Sequence, residues 1–334
     1  MVPAGHRDEW TAAGGSEFDS LRAMRIVRGI ESLPLDGLGS VVTIGFFDGV
    51  HMGHRAVFAR TVDASRERGL RPVAITFDRH PREILNPGSE PRLLTTVERK
   101  ASLIEGTGID TLLVLEFTQK LSHVSAQEFV ARVLVAGLSM RHAVVGSDFT
   151  FGHKAVGNLH LLEGLGAGLG FTAEGVGLVQ IDGRTVSSSS IREALSAGEL
   201  SWPATALGRR FVLDGEVVPG AGRGHALGFP TANLRTWPRL LLPGSGIYAG
   251  RARHTGRDYV AAISCGTNPT FGVEPLHVEA YLLDFDEEEL RGEPLSVEFW
   301  VRLRDEAKFA TPAELARAIA DDVARTRELV PSAK

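Results

Sequence analysis

The sequence predicts an α/β domain built on a parallel sheet, followed by a second domain of antiparallel strands closed by one helix. Three observations predict this. Between residues 40 and 191, short apolar runs alternate with helical stretches, as in a parallel sheet covered on both faces. After about residue 198, strands and Gly/Pro turns follow one another with almost no helical period, as in an antiparallel barrel or sandwich. A length of 334 residues suits two such units.

Taken in order, residues 1–24 are rich in Gly, Ala and charge and lack the apolar core of a signal peptide, so they are expected to be a poorly ordered extension. Residues 40–45 (SVVTIG) form a buried, β-branched strand. Residues 53–68 carry no Pro and no Gly after the first, and Gly69 supplies a C-cap for the helix they predict. Further strands are expected at 72–77 (PVAITF), 111–117 (TLLVLEF) and 142–146 (HAVVG). Ser125 and Glu128 stand at capping-box spacing, opening a helix that runs to Val135. In the second half, strands are expected at 211–218, 246–253, 259–264, 278–285 and 295–303. A final helix opens with Thr311 as N-cap, Pro312 at the first position and Glu314 as capping-box partner, with Leu315, Ile319 and Val323 as its apolar stripe. The change of pattern near 196–206 divides the chain into domains 25–198 and 199–334.

Composition excludes several classes. With 36 basic and 41 acidic residues the net charge is −5, not the basic balance of a nucleic-acid binder. No apolar run approaches the roughly 20 residues of a membrane helix. Cys265 is the single cysteine, so no intramolecular disulfide can form, which suits a reducing cytoplasm.

The first chemical motif is GFFDGVHMGH, residues 45–54. A strand, a turn bearing Gly45, Gly49 and Gly53, and a helix start make an anion site, because free backbone N–H groups and the helix dipole face the ligand. His51 and His54 are three apart and face the same way, so both imidazoles can donate to a triphosphate and to the charge that grows on a leaving pyrophosphate. The competing reading is a surface pair or half of a zinc site, but no cysteines stand nearby. The run 186–192 (VSSSSIR) places Ser187, Ser188, Ser189 and Arg192 at another helix start, again suited to phosphate, although a serine-rich linker would look similar. Between them, TFDRHP (76–81) and GSDFTFG (146–152) each follow a strand, at the sheet edge where α/β proteins place ligands.

The second motif is GAGRGHALGFPTAN, residues 220–233. Its glycines, Gly222 and Gly228 among them, let backbone N–H groups wrap phosphates. The Thr231 hydroxyl and Asn233 amide are hard oxygen donors suited to Mg²⁺ carried with a nucleotide; a flexible loop with a turn is the plainer reading. Glu279 lies in an apolar strand, where a carboxylate facing a cavity can take a proton from an alcohol, and one on the wet face does nothing.

Together these motifs resemble the prokaryotic bifunctional riboflavin kinase/FMN adenylyltransferase family, the FAD synthetases. The resemblance rests on GxFDGVHxGH at 45–54, DFxFG at 148–152, SSxxIR at 187–192, GFPTAN at 228–233 and VExxLLDF at 278–285. It implies an N-terminal nucleotidyltransferase-type, Rossmann-like domain and a six-stranded antiparallel kinase barrel with a terminal helix. It implies that riboflavin is phosphorylated with MgATP and the FMN is adenylylated with a second ATP. Gly45, Phe47, Asp48, Gly49, Gly53, Ser187, Ser188, Ser189 and Arg192 would then serve one nucleotide, with His51 and His54 catalytic. Asp78, His80, Asp148 and Phe149 would serve the flavin. Gly222, Gly228, Pro230, Thr231 and Asn233 would serve the kinase nucleotide, with Thr231 and Asn233 on the metal and Glu279 as the base for the ribityl hydroxyl. The chain departs from the family pattern at Phe46, often Asn or small; Arg79, usually Pro; Ser189, usually Thr; and Arg291, often Tyr. Two other readings fit the residues: a paralogue with one active half or altered specificity, and a non-catalytic flavin binder. Each half carries its own phosphate-handling residues, so a cut near residue 201 is expected to separate the activities.

Overall fold

The computed structural model describes residues 23–29, 38–220, 222–267, 276–286 and 290–332, so most of the 1–24 extension lies outside the described residues. The first domain is a six-stranded, all-parallel sheet in the order β1-β4-β3-β2-β5-β6. Its strands are β1 (Arg25–Arg28), β2 (Ser40–Ile44), β3 (Arg71–Phe77), β4 (Thr111–Leu115), β5 (Met140–Gly146) and β6 (Thr172–Val176).

Alternation assigns the two faces. Val42, Ile44, Val73, Ile75, Leu113 and Leu115 pack against the helical segments 126–137 and 159–169. Ala74, Leu112 and Val114 pack with Phe58 and Val62 of α1 (Met52–Arg68) and with Ala101 and Ile104. The α1 boundary follows local chemistry: His51 caps the start, and Gly69 at φ 63 closes the end. The helix opened by Ser125 extends past Val135, and from Val130 to Gly137 it has the wider i→i+5 turn.

A small hairpin, β7 (Gln180–Ile181) and β8 (Arg184–Thr185), precedes the helices Ser188–Ser196 and Ser201–Leu207. The second domain is a closed antiparallel barrel, β10-β13-β12-β11-β14-β9. Its strands are β9 (Phe211–Val218), β10 (Ala232–Thr236), β11 (Gly246–His254), β12 (Arg257–Gly266), β13 (His277–Leu282) and β14 (Pro294–Arg304). The expected strand 278–285 therefore stops at Leu282, and β10 adds the sixth strand. Side chains at alternate positions, including Leu213, Val217, Tyr248, Ile263, Ala280 and Phe299, fill the interior. The closing helix Pro312–Leu329 has Thr311 as its cap and Pro at the start; the Glu314 carboxylate reaches back to the N–H of Ala310, one residue before the cap.

The halves are sewn together. Leu93 pairs with Leu240 as a short parallel bridge, and both join a core cluster shared with the barrel. Arg99 makes a forked pair with Asp214 of β9, and Arg239 pairs with Glu83 and Glu90. The buried face of Ser201–Leu207, with Trp202, Ala206 and Leu207, enters the same cluster.

Candidate functional site

The C-terminal ends of β2 and β3 carry the first site. After Ile44 the chain makes a turn with three left-handed residues, Phe47 (φ 54), Gly49 (φ 79) and Val50 (φ 45). A β-branched residue with positive φ is an outlier that surrounding structure must hold. The holders are visible. The buried Asp48 carboxylate accepts from the N–H groups of Leu94 and Thr95 and from Arg192 at 2.9 Å. Ser188 donates its hydroxyl to the Asp48 carbonyl at 3.0 Å, and the Gly49 N–H donates to Thr95. Asp48 and Phe47, expected on the nucleotide, are therefore turned inward. Asp48 is 2% exposed with its oxygens taken, and the Phe47 ring packs on Phe58 and His54. Arg192 is likewise drawn to Asp48 and Ser189.

His51 and His54 stack with ring centroids 3.5 Å apart. His51 is the cap before α1 rather than a residue of its first turn, and its Nδ1 accepts the His54 N–H at 3.3 Å. That bond leaves the proton of a neutral His51 on Nε2, free to donate outward. His80 repeats the arrangement, its Nδ1 accepting from the Arg82 N–H at 3.1 Å. Burial, with Arg209 and Arg192 nearby, pulls the His51 imidazole down to about 4, and burial pulls His80 to about 4 and His54 well below its usual value. The site thus offers neutral N–H donors rather than imidazolium charge.

Its positive charge comes from a residue that spacing did not reveal. Lys100, in the helix Val97–Glu105, is 1% exposed and donates to Thr76 at 3.2 Å, while Thr76 donates to the Phe46 carbonyl. Its ammonium sits 4.0 Å over the Phe46 ring, which also meets His80 edge to face. Burial pulls Lys100 down to about 8. It has no ion-pair partner among the described residues. Asp78 accepts from the Phe117 N–H and from Arg79, so it fixes the 78–80 turn, and Arg79 is taken up by Asp78 and Glu116. Beside this turn an apolar cavity opens between Ile44, Phe77, Phe117, Phe149 and Phe151. Phe149 stacks on Phe151 at its wall, while Asp148 is exposed beside it.

The second site lies at one end of the barrel. Pairing of β10 with β13 sets Asn233 opposite Glu279, and Thr231 donates to the Glu279 carboxylate at 2.9 Å. His277, unremarked in the sequence reading, approaches the other Glu279 oxygen at 3.1 Å. Glu279 faces an apolar cavity between the barrel and the terminal helix, with Phe229, Tyr281, Leu315 and Ile319 in its walls. A second cavity is lined by Gly220, Gly222, Pro230, Asn233 and Arg291, and the two share Gly224, Thr231 and Tyr281. Gly222 (φ 70) and Gly228 (φ 85) are left-handed. Gly220 has no room for a side chain, since a Cβ would stand 2.0 Å from the Asn233 amide.

Comparison with known proteins agrees with both halves. The FAD synthetase family matches residues 35–190 and the riboflavin kinase family residues 207–330. A bifunctional riboflavin kinase/FMN adenylyltransferase of Pseudomonas fluorescens is 39% identical over 93% of this chain and 99% of its own. Proteins of the same description from Bacillus subtilis (34%; 85% and 90% covered) and Escherichia coli K12 (33%; 91% and 97% covered) are also similar. A solved structure titled macrolide-efflux protein from Streptococcus pneumoniae superposes with a TM-score of 0.82 at 28% identity, covering 92% of this chain and all of that one. Among the described residues no helix is long and apolar enough to cross a membrane. The chain belongs to the bifunctional riboflavin kinase/FMN adenylyltransferase family.

Proposed function

We propose that the barrel phosphorylates riboflavin and the parallel-sheet domain adenylylates the FMN produced, with the division between 25–198 and 199–334. The observation that carries this reading is the presence of two separate phosphate-handling turns, each beside its own apolar cavity.

In the barrel, riboflavin occupies the cavity against the terminal helix, with its ribityl 5′-hydroxyl at Glu279. MgATP occupies the glycine-lined cavity, and the γ-phosphoryl group crosses where the two cavities meet at Thr231. Glu279 takes the hydroxyl proton as the new O–P bond forms and ADP leaves. The Thr231 and Asn233 oxygens both border the glycine-lined cavity and suit a hard divalent cation. Among the described residues no group of three or more His, Cys, Asp or Glu converges, so such a cation would draw its other ligands from phosphate and water. When bound, it neutralises charge on the transferring phosphate.

In the sheet domain, the Phe77–Phe149 cavity takes the flavin ring, and a phosphate oxygen of FMN attacks the α-phosphorus of ATP. The bond to the β-phosphate breaks and pyrophosphate leaves. His51, His54 and His80 donate to the phosphates, with Lys100 supplying positive charge behind them. Backbone N–H groups at Gly53, Ser188 and Ser189 complete the cradle, whereas the Gly45 N–H donates to the Ile75 carbonyl and the Ser187 N–H to Ser190. A lone Cys265 thiol, held protonated because burial pushes it up to about 12, suits a reducing cytoplasm. Incubation with riboflavin and MgATP tests the whole reading: FMN, FAD and pyrophosphate are expected, and absence of FAD or of FMN formation removes the corresponding half.

A further inference from the structure

We propose that Arg209, on the segment leading into the barrel, is a positioning residue for adenylyl transfer that holds the 47–50 phosphate turn in its left-handed form. The inference rests on the adenylyltransferase reading of that turn.

The Arg209 guanidinium donates to the Gly49 carbonyl at 2.6 Å, to the Val50 carbonyl at 3.4 Å and to the Leu207 carbonyl at 3.2 Å. It makes no ion pair among the described residues, so its bonds go to backbone. The two turn carbonyls belong to the peptides on either side of the Val50 Cα, and their carbons are the two ends of its positive φ. A planar fork of donors fixes their direction in a way a single ammonium cannot. Without it the peptide is free to rotate and relieve the strain, moving His51 and the start of α1.

Packing adds to the grip. A Cβ on Gly49 would stand 3.4 Å from Leu207 Cδ2, and one on Gly208 would stand 2.7 Å from the Met52 sulfur. Segment 207–209 therefore lies directly on the phosphate turn, although in sequence it follows the expected boundary near 201. The cut proposed from sequence would remove a holder of the first site. Arg209 also faces His51, together with Arg192, the stacked His54 and the inward carboxylate of Asp48.

The test uses the full chain with Arg209→Met and Arg209→Lys. For R209M, kcat for converting FMN to FAD is expected to fall about 10–100-fold, the scale of a misplaced reacting group, while riboflavin phosphorylation stays at the parental rate. Removing the cation also lets His51 titrate at higher pH, so the acid limb of the FAD-forming profile moves up. R209K keeps the charge, so its acid limb stays in place while kcat remains reduced. A folded R209M with parental kcat and an unmoved acid limb overturns the inference. If R209M loses both activities through unfolding, R209K decides: reduced FAD formation with intact kinase supports the role, and parental FAD formation refutes it. Failure of the unaltered chain to make FAD from FMN and MgATP would instead remove the adenylyltransferase reading itself, and the inference with it.

Discussion

The proposed adenylyl site gathers residues from 44–54, 76–80, 94–100, 188–192 and 209 around one strained turn, whereas the proposed kinase site takes its carboxylate and amide from two paired barrel strands and its hydroxyl from Thr231, just before one of them. The first geometry is maintained by side chains that hold backbone from far along the chain. The second is set by strand register, which fixes Asn233 opposite Glu279 without further help. Changes at a distance should therefore injure the first site and spare the second, while the second should fail mainly through its own few side chains.

The largest expected effect separates the two most simply. Glu279→Gln should lower FMN formation by about 10²–10⁴, the usual loss for a general base, while FMN supplied from outside still becomes FAD; flavin chromatography reads both. Replacing His51 and His54 with Ala should do the reverse, lowering FAD formation by about 10²–10³ and sparing the kinase. Gly220→Ala should raise the kinase KM for ATP by about tenfold, the factor from losing roughly 1.4 kcal/mol of binding, because its Cβ displaces the Asn233 amide. Unchanged ATP affinity in a folded G220A would remove Asn233 from the nucleotide site.

A smaller effect concerns stability. Lys100 is buried, and its value of about 8 lies below the ordinary 10.5. The unfolded chain thus binds this proton more tightly. The group penalises folding fully below about pH 8, and the penalty fades as pH rises from 8 to 10.5. Lys100→Met should remove it, raising the melting temperature at pH 7 by roughly 2–4 °C while lowering FAD formation. A melting temperature that falls would show the ammonium to be stabilising as it stands.

What the sequence made legible follows from the same contrast. The turn at 45–54, the capped helices and the apolar strands were readable because local spacing determines them. The edge strands β1 (RIVR) and β6 (TAEGV) were not: at the margins of the sheet they are less covered and carry no long apolar run. The helix Leu159–Leu169 was hidden by three glycines, of which Gly166 is required by the Phe171 carbonyl, 2.5 Å from where a Cβ would be. Asp48 and Phe47 were expected on the nucleotide because motif position says nothing about side-chain direction; Leu94, Thr95 and Arg192 hold the Asp48 carboxylate inward, and Phe58 and His54 pack on the Phe47 ring. Lys100 belongs to no local motif and its helix, Val97–Glu105, was not among the expected elements, and Arg209 lay past the expected boundary. Glu279 was identifiable from its place in an apolar strand, and Thr231 from the glycine-rich motif that leads into β10.

The central claim is that one chain holds two complete and separate sites, joined in sequence by the FMN that passes between them. Mixing full-length E279Q with the full-length His51→Ala/His54→Ala double variant tests it most directly. Neither protein alone should convert riboflavin to FAD. Together, with MgATP, they should do so, the double variant making FMN and E279Q adenylylating it. FMN accumulating in the mixture without FAD, while E279Q remains folded, would contradict the account, because the adenylyl site would then depend on the kinase residue it was taken to ignore.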